Sequence, residues 1–225
     1  MKKRKIVILD PGHGGINPIT CQYETAPKKM FVHPEQWYFH DGSKFYEGVF
    51  NRSVVKRLMQ KLALLNIPYF CTVPPFEFSK DISLRERVKI ANNLSEKFDC
   101  IYISFHANAF RGTARGYELH YDFEDLESKK LANEITLRTK EAFADVNLKI
   151  DNETTDVIPS GLKFRSNKNS PRLYVIRKTR MPSVLIEHGF FDNIDDANIL
   201  IKHENIDLFA DATCRALITW FNNYL

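Results

Sequence analysis

Two histidines each stand at the end of an apolar run, where a buried strand would finish. His13 follows the run 6–9 within the segment DPGHGG, and His106 follows the run 100–105 within SFHANA. Catalytic and ligand-binding groups gather at the carboxyl ends of strands in open α/β sheets, and neutral imidazole is the commonest metal ligand in proteins. One histidine at such a place is more often an ordinary polar residue, but two of them favour a metal site.

Two glutamates could complete this chemistry. Glu187 ends the apolar run 184–186, where a carboxylate is costly unless it has a partner or a function. Because side chains alternate along a strand, only one of Glu187 and His188 should reach the site. Glu47 precedes a predicted helix, whose dipole alone would favour an acid there. Two histidines and a carboxylate with an open fourth position are typical of catalytic zinc, and a further carboxylate could take a proton from water during amide or ester hydrolysis.

The elements that must position these residues alternate between strands and helices. Apolar runs predict strands at 6–9, 67–73, 100–105, 116–121, 173–176 and 183–186. Helical spacing predicts helices at 49–65, 83–94, 126–143, 193–201 and 205–221, and a capping box opens the second of these. This alternation predicts a three-layer α/β/α domain with a mostly parallel central sheet.

Two stretches lack such periodicity. Residues 16–46 hold many aromatic side chains, which predicts an ordered insertion loop that either walls a groove or anchors itself to the body. Residues 145–171 predict a second loop region. A basic stretch at 163–180 contains Lys163 and Arg165, which are candidates for holding anionic groups of a substrate or for an ordinary solvated face.

The composition narrows the class of protein. The 225 residues are 44% hydrophobic and 27% charged, which predicts a globular chain rather than a disordered or fibrous one. The net charge of +4 is too small to indicate nucleic acid. No apolar run has the length of a membrane span, and the run after MKKRK is too short for a secretion signal. Four cysteines without a C-x-x-C pair predict buried thiols in a reducing compartment.

Taken in chain order, these segments resemble the zinc-dependent N-acetylmuramoyl-L-alanine amidases of the Amidase_3 type. The matching segments are IVILDPGHGG at 6–15, Glu47 with Asn51, SLRERVKIAN at 83–92, ISFHANA at 103–109, GYELH at 116–120 and MPSVLIEHGFFDN at 181–193. The resemblance implies that the chain hydrolyses peptidoglycan at the amide between the lactyl group of N-acetylmuramic acid and L-alanine of the stem peptide.

The resemblance also implies the roles of individual residues. His13, Glu47 and His106 would bind one zinc ion per chain, and Glu187 would be the catalytic acid and base. The insertion 16–46 lengthens the spacing between the first two ligands, so Glu24 is a rival of Glu47 for the second position.

Four further residues are candidate substrate contacts, namely Asn108, His188, Lys163 and Arg165. His188 stands where the family often has a small residue or threonine. Asn108, like Arg87, matches a recurrent family position, and structural support is the other interpretation of both.

For the whole chain we expect a single catalytic domain over 1–225, without a cell-wall-binding domain, that acts on peptidoglycan as a monomer. Without a secretion signal it would be made in the cytoplasm and would reach the bacterial cell wall after release, as a phage or prophage endolysin does. The alternatives are a zinc peptidase or deacylase acting on another cell-wall bond, and a non-catalytic peptidoglycan-binding module.

Overall fold

A computed structural model describes residues 3–35, 39–73, 77–150, 162–164 and 173–223, with the backbone alone at 162–164 and 223. The strands are β1 (Lys5–Pro11), β2 (Met30–Val32), β3 (Lys44–Tyr46), β4 (Tyr69–Cys71), β5 (Asp99–Asn108), β6 (Glu118–Tyr121), β7 (Leu162–Phe164) and β8 (Ser183–Phe190). The helices are α1 (Glu47–Leu64), α2 (Leu84–Lys97), α3 (Leu126–Ala142), α4 (Tyr174–Lys178), α5 (Ile194–Leu200) and α6 (His203–Asn223).

The central sheet has the strand order β4-β1-β5-β8-β6-β7 within the described ranges. All of its strand pairs are parallel except β6–β8. Helices α1, α3 and α6 cover one face with the larger hydrophobic core, and α2 and α4 cover the other face with a smaller one. The predicted three-layer fold with a mostly parallel sheet is therefore confirmed. Strands covered on both faces read as continuous apolar runs, and β1 and β5 do so.

The start of α2 follows its predicted capping signal. The side chain of Ser83 accepts a hydrogen bond from the backbone N–H of Glu86, which satisfies one of the donors that a helix leaves unpaired at its first turn. The helix α1 begins two residues earlier than predicted, so Glu47 is its first residue rather than the residue before it. An acid in that first turn is stabilised by the helix dipole.

Three predicted regions differ from the structure. Residues 173–176, predicted as a strand, enter α4 instead, because a four-residue apolar run cannot be distinguished from a buried helical turn by periodicity. The insertion 16–46 contains a 3₁₀ turn (Pro27–Lys29) and an antiparallel pair of β2 with β3, whose three-residue strands are too short to show alternation. The second loop region contains β7, and its residues 151–161 and 165–171 lie outside the described ranges.

No helix among the described residues combines the length and the apolar character that crossing a membrane requires.

Candidate metal centre

The loop that follows β1 carries the first histidine of the site. His13 adopts a left-handed backbone conformation with a φ of 62°, which is uncommon outside glycine and tends to cluster at functional sites. Beside it, a Cβ atom at Gly12 would lie 2.2 Å from Cε1 of His106. Only glycine at position 12 therefore lets the imidazole of His106 lie directly against the loop backbone.

His13, Glu47 and His106 converge on one point at this edge of the sheet. Oε1 of Glu47 lies 3.2 Å from Nε2 of His13 and 3.0 Å from Nδ1 of His106. The two imidazole rings are nearly perpendicular, with centroids 5.0 Å apart. One possible ligand atom from each residue lies within 4.8 Å of the other two. The parallel pairing of β1 with β5 and the start of α1 bring these distant parts of the chain together.

The donor set fits a zinc ion. Two imidazole nitrogens and one carboxylate oxygen are ligands that zinc takes in catalytic sites, where a further position stays open. Nε2 of His13 is buried and makes no hydrogen bond to a described residue beyond its approach to Glu47. The histidine side chains keep 19% and 13% of their surface exposed, so the cluster is open to solvent on one side.

Glu24, the rival for the second ligand position, does not join this cluster. Its carboxylate accepts a hydrogen bond of 2.7 Å from Nδ2 of Asn17. Its backbone packs against the first histidine's loop instead, where its N–H donates to the carbonyl of Gly15. The structure thus brings Glu47, and not Glu24, to the two histidines.

The electrostatics of the cluster favour metal binding. Burial raises the pKa of the Glu47 carboxyl, but its hydrogen bond with His106 and the closeness of both imidazoles outweigh this effect and hold the pKa below its usual value. Burial, together with the neighbouring His13, lowers the pKa of His106 by more than the carboxylates of Glu47 and Asp10 raise it. An ionised carboxylate and a neutral imidazole are the forms that bind metal ions.

A buried arginine from α1 holds the loop of the first histidine. The guanidinium of Arg52 donates to the carbonyl oxygens of Gly12 at 3.2 Å, His13 at 2.5 Å and Gly48 at 3.1 Å. It also reaches the carbonyl oxygens of Phe78 and Lys80. One side chain therefore ties the loop to the first turn of α1, so the positions of His13 and Glu47 depend on each other.

A second buried network anchors the end of β1. The carboxylate of Asp10 accepts hydrogen bonds from Thr72 and Arg87 at 2.6 Å, from Tyr102 at 2.6 Å and from Ser104 at 2.8 Å. Burial raises the pKa of Asp10, but the charge of Arg87 and these hydrogen bonds outweigh it and lower the pKa to about 2. Arg87 also donates to the carbonyl oxygen of Pro11 at 2.7 Å, which agrees with a supporting role for this arginine.

Strand register places Glu187 beside the cluster. Glu187 and His106 are Cα partners in the pairing of β8 with β5, and Glu187 is also the partner of Glu118 across β6. Partners in neighbouring strands project to the same face of a sheet. Glu187, which is partly exposed, therefore shares the face of His106.

His188 points into the core, so the prediction that it contacts substrate is wrong. It is 1% exposed, and its ring packs against Phe50, Phe105 and Phe209 on the face that α1 and α6 cover. Its Nδ1 lies 2.9 Å from the carbonyl oxygen of His106. Burial lowers its pKa to about 4, which keeps the ring neutral. An imidazole that contacts a backbone carbonyl and packs among aromatic rings has a structural role here.

The structure describes only some of the remaining candidate substrate contacts. Asn108 ends β5 and is partly exposed; its Nδ2 donates to Oε2 of Glu118 at 3.2 Å, and its Oδ1 accepts from the N–H of Ala109 at 2.9 Å. The backbone of Lys163 pairs with His120 in the β6–β7 ladder. The side chain of Lys163 and all of Arg165 lie outside the described part of the chain.

A cleft of about 560 Å³ opens beside the two histidines. The start of α2 forms one wall through Ser83 and Leu84, and Glu24 with Thr25 of the insertion forms another. The cleft gives an extended polar ligand access to the cluster. The arrangement can hold a metal ion, admit a substrate and supply a proton acceptor on the neighbouring strand.

Sequence reasoning missed two residues that contact the cluster. Lys29 places its Nζ 3.1 Å from Oε2 of Glu47, and Arg52 binds the loop carbonyls described above. Lys29 lies in the aperiodic insertion, where no pattern indicates a distant contact. Arg52 lies one helical turn after Gly48, and its position on the buried side of α1 is the one signal that could have identified it.

Comparisons with known proteins identify the family and the fold. The family model described as N-acetylmuramoyl-L-alanine amidase, Amidase_3, matches residues 7–219. An uncharacterized cell wall amidase of Bacillus anthracis is 28% identical over 96% of this chain, which spans 35% of that relative's length. The sporulation-specific N-acetylmuramoyl-L-alanine amidase of Bacillus subtilis is 27% identical over 96% of this chain and 68% of its own length. In fold, the chain is similar to the solved N-acetylmuramyl-L-alanine amidase Ami1 of Mycobacterium smegmatis, with a TM-score of 0.71 at 21% identity over 99% of this chain and all of that one.

Proposed function

Because the chain belongs to the Amidase_3 family of N-acetylmuramoyl-L-alanine amidases, we propose that it is a zinc-dependent amidase of peptidoglycan. The bond that it cleaves joins the lactyl group of N-acetylmuramic acid to L-alanine of the stem peptide. The observation that carries the proposal is the convergence of His13, Glu47 and His106, with Glu187 on the adjacent strand and the same face.

His13, Glu47 and His106 would hold the zinc ion. When bound, zinc supplies a Lewis acid that polarises the scissile carbonyl and makes a nearby water more acidic. Glu47 contributes a carboxylate kept ionised by its two histidine neighbours, and His106 contributes a ring that burial keeps neutral. The left-handed backbone at His13 and the absence of a side chain at Gly12 keep the two imidazoles close together.

Glu187 is the proton carrier of the proposal. Its carboxylate would accept a proton from the attacking water and deliver it to the departing nitrogen of L-alanine. Its register opposite His106 in the β5–β8 ladder supports this role, because the carboxylate would lie one strand away from a proposed zinc ligand. The cleft along α2 would hold the stem peptide, and Asn108 at the end of β5 remains a candidate contact for it.

Two further predictions from the sequence extend the proposal. The basic residues Lys163 and Arg165 would form a cationic rim for anionic groups of the wall. The catalytic domain would be of the endolysin type and would act at the bacterial cell wall.

Mass spectrometry of peptidoglycan digested with the protein tests the proposed function. We expect free stem peptides that begin with L-alanine, together with peptide-free glycan, in the presence of zinc and not in the presence of a chelator. Peptides cut internally would show that the bond is a different one. Intact peptidoglycan that retains the protein would indicate a binding module instead.

A further inference from the structure

The carboxylate of Glu47 has a second contact on the side away from the histidines. Oε1 faces both imidazoles, whereas Oε2 lies 3.1 Å from Nζ of Lys29 in the insertion 16–46. Glu47 is fully buried, and the side chain of Lys29 keeps 29% of its surface exposed. The two oxygens of one carboxylate are thus divided between the metal side and an ammonium group.

Lys29 is itself held by the segment around it. It ends the 3₁₀ turn that begins at Pro27, and its N–H donates to the carbonyl of Ala26 at 2.9 Å. Its carbonyl accepts a hydrogen bond of 2.9 Å from the hydroxyl of Tyr23, and that hydroxyl accepts one of 3.0 Å from the N–H of Gly48. The residue after Glu47 is therefore tied to Lys29 through Tyr23, and the contacts form a closed ring.

We propose that Lys29 is a positioning residue of the metal centre, whose ammonium holds Oε2 of Glu47 so that Oε1 alone is presented to the metal. This inference rests on the proposed zinc site. An ion pair between the ammonium and the buried carboxylate, at 3.1 Å, favours the orientation in which Oε2 faces Lys29. Without Lys29, Oε2 of Glu47 would lose its ion-pair partner among the described residues, and the carboxylate would turn more freely about its last side-chain bond.

An ammonium group also repels a metal cation, and the geometry indicates which effect is larger. Lys29 contacts the oxygen that is farther from the histidines, and its exposed surface lets solvent screen its charge. The ion pair with Oε2 is a direct contact of 3.1 Å to a fully buried carboxylate, where solvent screens the charges less. Loss of the ammonium should therefore weaken zinc binding, and the opposite sign would show that Lys29 competes with the metal.

Zinc affinity measured by competition with a chromophoric chelator tests the proposal. The Lys29→Gln variant should bind zinc roughly 10–100-fold more weakly than the wild type, the usual effect of removing a partner of a metal-ligating group. Lys29→Arg should restore most of the affinity, because it keeps a cationic donor. Lys28→Gln removes the same charge from an exposed neighbouring side chain and should leave the affinity unchanged.

The thermal midpoint of each metal-free variant, measured in parallel, separates loss of positioning from loss of fold. If Lys29→Gln does not fold, Lys29→Met, which keeps the aliphatic stem, decides the question. Equal or tighter zinc binding by a folded Lys29→Gln variant would overturn the inference and leave the metal site in place. A wild-type protein that binds no zinc would overturn both.

Discussion

Replacing Asp10 by asparagine should lower the free energy of unfolding by about 3–5 kcal/mol, the range found when one member of a buried ion pair is removed. Asp10 is 1% exposed and its partner Arg87 is 2% exposed. In the variant, the guanidinium would stay buried without a counter-charge. An asparagine amide also cannot accept all the hydrogen bonds that Thr72, Tyr102 and Ser104 donate together with Arg87 to the carboxylate.

The pH dependence of the free energy of unfolding gives a second, independent value for the contribution of the Asp10 carboxylate. The folded protein lowers the pKa of Asp10 from 3.8 to about 2. One pKa unit corresponds to about 1.4 kcal/mol, so the ionised carboxylate contributes about 2 kcal/mol of stability. Because the folded-state pKa is the lower one, this contribution is present above about pH 4 and is lost as the pH falls through about 2. The asparagine variant has no such group and should not show this loss.

Urea unfolding followed by circular dichroism at pH 7, 4 and 2 measures both quantities. A chelator in the buffer removes any contribution from metal binding. The control is Asp207→Asn, at an exposed carboxylate near Lys61, which should change stability by no more than about 0.5 kcal/mol. A loss below about 1 kcal/mol in the Asp10 variant, or a gap from wild type that is the same at pH 4 and pH 2, would refute the role assigned to this network.

Three further changes test other parts of the site. Glu187→Gln should keep stoichiometric zinc and reduce the rate of stem-peptide release by roughly 10²–10⁴, the usual contribution of a proton carrier. Gly12→Ala should lose zinc binding and activity in a folded protein, because the added Cβ would lie 2.2 Å from the ring of His106. His188→Phe should flatten the pH dependence of stability between about pH 6.5 and 4. Burial lowers the pKa of His188 from 6.5 to about 4, so wild-type stability falls by about 3 kcal/mol as the pH drops across that window.

Each of these three predictions also has a result that would contradict it. Loss of zinc in Glu187→Gln would make Glu187 a ligand rather than the proton carrier. Wild-type zinc affinity in Gly12→Ala would show that the loop can move away from His106. An unchanged pH profile in His188→Phe would show that the imidazole accepts a proton within the core.

The sequence predicted the parts of the site that lie at the ends of apolar runs. The run 100–105 ends beside His106 and the run 184–186 ends beside Glu187, and parallel pairing makes these two residues neighbours. Period-two alternation also predicted that only one of Glu187 and His188 would reach the site. The structure places Glu187 on the face of His106 and buries His188 among aromatic rings.

The periodicity of the sequence could not predict contacts that depend on irregular backbone. The pairing of Lys29 with Glu47 depends on a 3₁₀ turn and on Tyr23, and no periodicity indicates either contact. The short pair of β2 with β3 was missed because three residues do not make an alternation. The helix α4 was mistaken for a strand because its short apolar run fits both states equally well.

The pairing of β1 with β5 also decides when the proposed metal site can form during folding. Of the proposed zinc ligands, His13 follows β1 and His106 lies in β5. These two strands are neighbours in the sheet but distant along the chain, with β2, β3, α1, β4 and α2 between them. A loop of that length must close before His13 and His106 meet, and its entropy is lost before any metal–ligand bond can compensate for it. Such non-local contacts slow folding. At the proposed site zinc would not act as a local template for folding, as it does in small metal-stapled domains, and its binding would instead report that the central strands have already assembled.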